Sequence, residues 1–182
     1  PGGKAFIAVH PDGLVAAASE KVFAIAEPLL DAGCTLMFVN PRAIGEFAPV
    51  AQAQDVNGLI FGRPALALMT NDLLCAAQAL RTWEKAKASS VGLIGWGDAA
   101  VAVLAAAALD RAIEPIAALD IGPTYSQADR RPRAPHILMA GDIPQYAAVS
   151  AGRRIVITGL QPPEARQWLE RAMKTLEGHI MG

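Results

Sequence analysis

Five short runs with few polar residues recur along the chain, and each is followed by a loop or a stretch with helical character. They are residues 4–10 (KAFIAVH), 34–40 (CTLMFVN), 90–94 (SVGLI), 116–120 (IAALD) and 154–158 (RIVIT). Apolar runs this short, bounded by turn residues, read as strands. Strands without a polar face must be buried on both sides, and parallel sheets between layers of helix meet that condition. Helices are expected at residues 19–32, closed by Gly33, and at 64–87, with Pro64 near the start. Further helices are expected at 98–109, 144–151 and 163–177. In the last of these, Ala165, Trp168, Leu169, Ala172, Met173 and Leu176 form one apolar stripe, expected to pack inward. Residues 41–63 and 122–135 read as long connections, and 136–140 (HILMA) as a short extended piece. The predicted fold class is α/β, a three-layer α/β/α sandwich with a mainly parallel sheet. With no internal repeat or low-complexity linker, residues 1–182 read as a single domain.

Composition removes several classes of function. Of 182 residues, 53% are apolar and 18% charged, and the net charge is −1. That balance belongs to a globular chain and argues against nucleic acid or an anionic membrane as partner. No basic run or aromatic ladder is present. The longest apolar run, AAVAVLAAAAL at residues 99–109, is shorter than the ~20 residues a membrane span needs and reads as a helix covered on most sides. Cys34 and Cys75 read as buried free thiols and assign no compartment. The chain opens at Pro1 with no initiator Met, which implies a processed or cut N-terminus.

Ligands of parallel α/β sheets bind beyond the carboxyl ends of the strands. The residues expected there are His10, Asp12, Asn40, Arg42, Trp96, Gly97, Asp98, Asp120 and Thr158. Among them runs VGLIGWGDAA, residues 91–100, a strand entering a glycine turn and then a helix. Two chemistries use such a turn. Gly95, Gly97 and Ala100 fit the G-x-G-x-x-A fingerprint of a dinucleotide fold, and Asp120, 25 residues beyond Gly95, falls near a ribose-binding position. Against this, two strand–helix units precede the turn, and Asp98 sets a carboxylate where phosphates would lie. The alternative is a nucleophile elbow, small-x-nucleophile-x-small. Gly95 and Ala99 are then the small residues, Trp96 and Asp98 the spacers, and Gly97 the nucleophile position.

In that register nearly the whole chain resembles the α/β-hydrolase family, and more narrowly acetyl xylan esterases and dienelactone-hydrolase-like esterases. FIAVHPDG (6–13) looks like the strand and H-x-G loop that supplies part of the oxyanion hole. LLDAGCTLMFVNPRAIGE (29–46) is similar to the family's G-y-x-v-l-x-x-D-x-R-G-x-G-x-S segment. FGRPALALMTNDLLCAAQAL (61–80) looks like the helix before the elbow, with Asp72 at its acidic position, and IEPIAALDIGP (113–123) like the strand after it. PHILMAGDIPQYAAVSAGRRIVITG (135–159) is similar to the stretch near the C-terminus of acetyl-xylan-esterase-like proteins. The resemblance implies strand order 2-1-3-4-5, a trimmed hydrolase core without the family's first antiparallel strands and its final strand.

The resemblance also implies a Ser-His-Asp triad, and the chain lacks it. Gly97 has no side chain with which to attack. Ser19, Ser89, Ser90, Ser126 and Ser150 lie elsewhere. After the last strand the only histidine is His179, expected beyond the last helix, and the acid position reads GLQPPE, where Glu164 opens that helix. An elbow nucleophile holds backbone angles that cost about 1–3 kcal/mol, and glycine takes them without a Cβ penalty. His10, Asp12, Trp96, Gly97, Asp98 and Asp120 are therefore expected to form a vestigial pocket. Asp120 and Asp142 read as loop-capping carboxylates, and Trp96 as a plug. His10, Asp12 and His136 carry no metal-ligand spacing, and neither metal nor cofactor is expected. The expected function is non-catalytic: a structural or interaction domain beside an active esterase domain, or one that pairs with a second copy. Alternatives are an ester hydrolase completed by another chain or segment, and a dinucleotide-binding domain.

Overall fold

The computed structural model describes residues 3–48, 60–127 and 134–180. Strands β1 (Lys4–Val9), β2 (Thr35–Phe38), β3 (Ser90–Trp96), β4 (Ile113–Leu119) and β6 (Ile155–Ile157) form one sheet in the order β2-β1-β3-β4-β6, with every pair parallel. This is the order that the resemblance implies, and the five apolar runs are these strands. Two short strands, β5 (Gly122–Pro123) and β7 (Leu160–Gln161), pair separately. The helices are α1 (Glu20–Asp31), α2 (Ala65–Thr82), α3 (Gly97–Leu109), α4 (Ile137–Ala140), α5 (Ile143–Ala148) and α6 (Pro163–Ile180). Two 3₁₀ turns, Gly13–Ala18 and Gly45–Phe47, follow β1 and β2.

The side chains of β1 show why these runs become parallel strands. Ala5, Ile7 and Val9 face the larger core, which α2, α3, α5 and α6 cover, whereas Phe6 and Ala8 face a smaller cluster beneath α1. Both faces are buried, so neither carries a polar residue. Helix α3 lies in the middle of the larger layer, with Ala99–Leu104, Ala106 and Ala107 buried on nearly every side. Small side chains on a helix buried in this way permit close approach to β3. Among the described residues, no helix is long and apolar enough to cross a membrane.

Several elements depart from expectation. Strand β4 begins at Ile113, earlier than predicted, and runs through Pro115. Proline cannot donate to a ladder, and the register against β3 shifts here: Ile113 pairs with Val91, and Ile116 with Leu93. The extra residue is a bulge that takes proline without losing a ladder bond. Residues 137–140 are a helical turn, not extended chain. It lies between His136 (φ 61) and Gly141 (φ 149), and Leu138 and Met139 are exposed, so no burial favours a strand. Helix α2 ends at Thr82 rather than Lys87. The stripe on α6 turns only partly inward. Leu169 is buried, and Ala165, Ala172 and Met173 pack on the core, while Trp168 and Leu176 are 38% and 41% exposed. Cys75 is exposed, on the outer side of α2, whereas Cys34 is partly buried; both are free.

Candidate functional site

All five strands of the main sheet end on one side, and the turns that follow them build the mouth. Strand β3 enters α3 directly, with no intervening loop residue. Gly97 makes the corner at φ +51, the left-handed region that a nucleophile elbow uses. The two glycines of the turn are required for different reasons. A Cβ on Gly95 would lie 2.7 Å from Val103 Cγ2 and 2.9 Å from Ala100 Cα, so Gly95 lets the helix approach the strand. A Cβ on Gly97 would meet only Pro11 Cγ, at 3.5 Å. Space for a side chain therefore exists at this corner.

His10 follows β1, and its ring stands 5.9 Å from that of Trp96 at a tilt of 47°. The Asp12 N–H donates to His10 Nδ1 at 3.2 Å, so that nitrogen is an acceptor and the proton of the neutral ring sits on Nε2. The Asp12 carboxylate lies 3.5 Å from the same nitrogen but is 82% exposed, and the backbone bond governs the neutral ring. Trp96 is 5% exposed and joins the α1-side cluster with Phe6, Ala8, Val22 and Ile94. Asp98 lies in the first turn of α3, where a carboxylate favours the helix dipole. Asp120 ends β4 at φ +50, and its N–H donates to Thr158 Oγ1 at 2.9 Å.

Asn40 closes the mouth on the β2 side. Both polar atoms of its amide are buried without a hydrogen-bond partner. The amide lies between Gly13 and Gly45, where a Cβ on Gly45 would come within 2.5 Å of Asn40 Oδ1 and of Gly13 Cα. The Gly45 N–H donates to Pro11 O at 2.9 Å, so the loops after β1 and β2 interlock. Sequence reasoning placed Asn40 at the mouth. It did not identify this glycine contact, because Gly13 and Gly45 lie at different distances beyond their strands and leave no shared local pattern.

The serines serve the scaffold. Ser19 caps α1 by accepting from Val22 N, Ser89 donates to Gly3 O, Ser126 pairs with Thr124, and buried Ser150 receives Arg153 Nη2. Asp142 caps α5 in a reciprocal box with Gln145 and accepts from Tyr125 N and Ser126 N at 2.8 and 3.0 Å. Burial opposes its ionisation, but the N–H bonds from Ile143, Ser126 and Tyr125 outweigh that and hold its carboxyl below the usual range. His179 lies within α6 rather than beyond it. At 1.5 Å per residue, the helix axis carries it about 24 Å from Pro163. No group of three metal-ligating side chains converges among the described residues.

The sheet order, the strand-to-helix corner at a left-handed residue and the helix layers define an α/β-hydrolase-like fold. A solved structure, ferulic acid bound to Est1E from Butyrivibrio proteoclasticus, matches it with a TM-score of 0.52 at 11% identity, over 99% of this chain and 90% of that one. No family model matches the chain, and no curated protein does.

Proposed function

We propose that this chain is a non-catalytic α/β-hydrolase-like domain, which acts by holding or pairing with another protein domain, such as an active esterase domain or a second copy. One observation carries the reading: the elbow corner is intact, but its residue is Gly97 at φ +51, with no side chain to attack. The setting of the remaining candidates supports it. His10 Nδ1 is taken by the Asp12 N–H, and Asp142 is bonded into the cap of α5. The other described histidines are His136, which precedes α4, and His179, within α6. A triad needs its base within hydrogen-bond reach of both the nucleophile and the acid.

The test is hydrolysis of p-nitrophenyl acetate by the purified chain. The expected rate is that of buffer. Turnover that disappears in both His10→Ala and Asp98→Asn variants overturns the proposal.

The space beside Gly97 favours one second reading, an ester hydrolase whose missing groups come from another chain or segment. A fluorophosphonate probe applied to the intact assembly separates the two. Labelling at the mouth of this sheet supports completion, and its absence supports the non-catalytic role.

A further inference from the structure

Strand β6 is the last strand of the main sheet, and its outer edge is unpaired among the described residues. Arg154 O accepts from Ile116 N, and Thr158 N donates to Ala118 O. Backbone groups alternate sides along a parallel strand. The N–H and C=O groups of Ile155 and Ile157 therefore point away from β4, along an edge that borders a groove of about 930 Å³ lined by residues of β6 and α6. Its floor includes Ile155, Ile157, Leu169 and Met173. An open edge over an apolar floor is a surface that proteins cover.

The wall on α6 says what covers it. Arg166, Glu170, Lys174 and Glu177 line the groove in alternating sign at successive turns. Such a row becomes its own complement when reversed. With a two-fold axis near Ala172, Glu170 meets Lys174 of the other copy, Lys174 meets its Glu170, and Arg166 lies near its Glu177. The same axis passing through Val156 sets Ile155 opposite the second copy's Ile157 in an antiparallel hydrogen-bonded pair, and Ile157 opposite its Ile155. The arrangement inferred below sets both the strand edge and the helix row about one two-fold axis. The isoleucines of both copies fill the groove, and the charges sit at its rim, as in ordinary interfaces.

We propose that the occupant is a second copy of this chain, joined β6 to β6 and α6 to α6 in an isologous dimer with a continuous sheet. This names the partner for the interaction role proposed above. Esterase assays test that role, whereas the state of association tests this inference, so the two fail separately.

The experiment is sedimentation velocity on the full chain and on two charge reversals, Lys174→Glu and Glu170→Lys. Both residues lie on the outer rim of α6, and circular dichroism verifies the fold. The wild type is expected to be a dimer. Each reversal sets like charges across the axis and is expected to weaken the dimer about tenfold or more. An equimolar mixture of the two variants restores complementarity and is expected to associate as tightly as the wild type. A monomeric wild type at the highest soluble concentration overturns the proposal. So do a dimer indifferent to either reversal and a mixture that stays monomeric.

Discussion

Arg42 grips Asp72 with a fork. Its Nε lies 3.0 and 3.1 Å from the two carboxylate oxygens and its Nη2 2.6 Å from Oδ1, while its own backbone N–H donates to Oδ2 at 3.0 Å. The pair joins the turn after β2 to the middle of α2, 30 residues away. Arg42 is about half exposed and Asp72 largely covered, at 46% and 22%. The guanidinium plane matches the carboxylate, so the fork fixes direction as well as distance. Asp72→Asn is expected to cost about 1–2 kcal/mol, read as a lower urea midpoint at unchanged slope. Arg42→Lys is expected to cost nearly as much, because an ammonium cannot form the fork. If the lysine variant matches the wild type, the fork contributes nothing.

The two glycines of the elbow are expected to respond differently to alanine. At Gly95 the new methyl would collide with Val103 and Ala100, so Gly95→Ala forces α3 away from the sheet and is expected to cost about 2–3 kcal/mol. At Gly97 space is available, and only the left-handed angle is strained. Gly97→Ala is expected to cost about 1–2 kcal/mol. Thermal melts rank the two. The reverse order would mean that the turn, not the helix approach, governs the site.

Gly97→Ser places a hydroxyl at the corner. Stability is expected to fall by about 1–2 kcal/mol, as for alanine, and p-nitrophenyl acetate hydrolysis is expected to stay at background. A serine alone is a weak nucleophile without an adjacent base. A burst of p-nitrophenol from the serine variant would show that a base does reach the corner.

Asp142 gives the acid limb of the stability profile a definite sign. Its folded carboxyl is held below its ordinary value of 3.8. Its contribution is therefore complete above that value and is lost as pH falls through the depressed folded one. Asp142→Ala is expected to cost about 2–3 kcal/mol at neutral pH, since Tyr125, Ser126 and Ile143 all lose an acceptor. It should also flatten the decline below about pH 4. Urea midpoints between neutrality and pH 3 test this. Parallel curves for wild type and variant would place the titration elsewhere.

How legible the sequence was depends on the scale of the question. Strand positions follow from local pattern, because a buried strand needs an apolar run; right-handed crossovers leave few arrangements, and the resemblance to the α/β-hydrolase family chose among them. The glycine turn between β3 and α3 was legible for a local reason too, since its glycines and small residues are contiguous. The turn at 137–140 and the early start of β4 were not. The first depends on Leu138 and Met139 having nothing to bury against, and the second on a bulge accommodating Pro115. Trp168 and Leu176 repeat at helical spacing, but α6 presents only its Leu169 side to the core.

By itself, then, the sequence determined the α/β class, the strand positions and the glycine turn after β3, because each is a matter of residue type along a local stretch. Only the tertiary structure decided that Gly95 is needed for packing while Gly97 has room, that Asn40 lies unpartnered between two glycines, and that β6 ends the sheet beside an alternating row of charges. Those facts depend on distances between segments far apart in the chain. Such distances are set by how the layers pack, which no single stretch of sequence encodes.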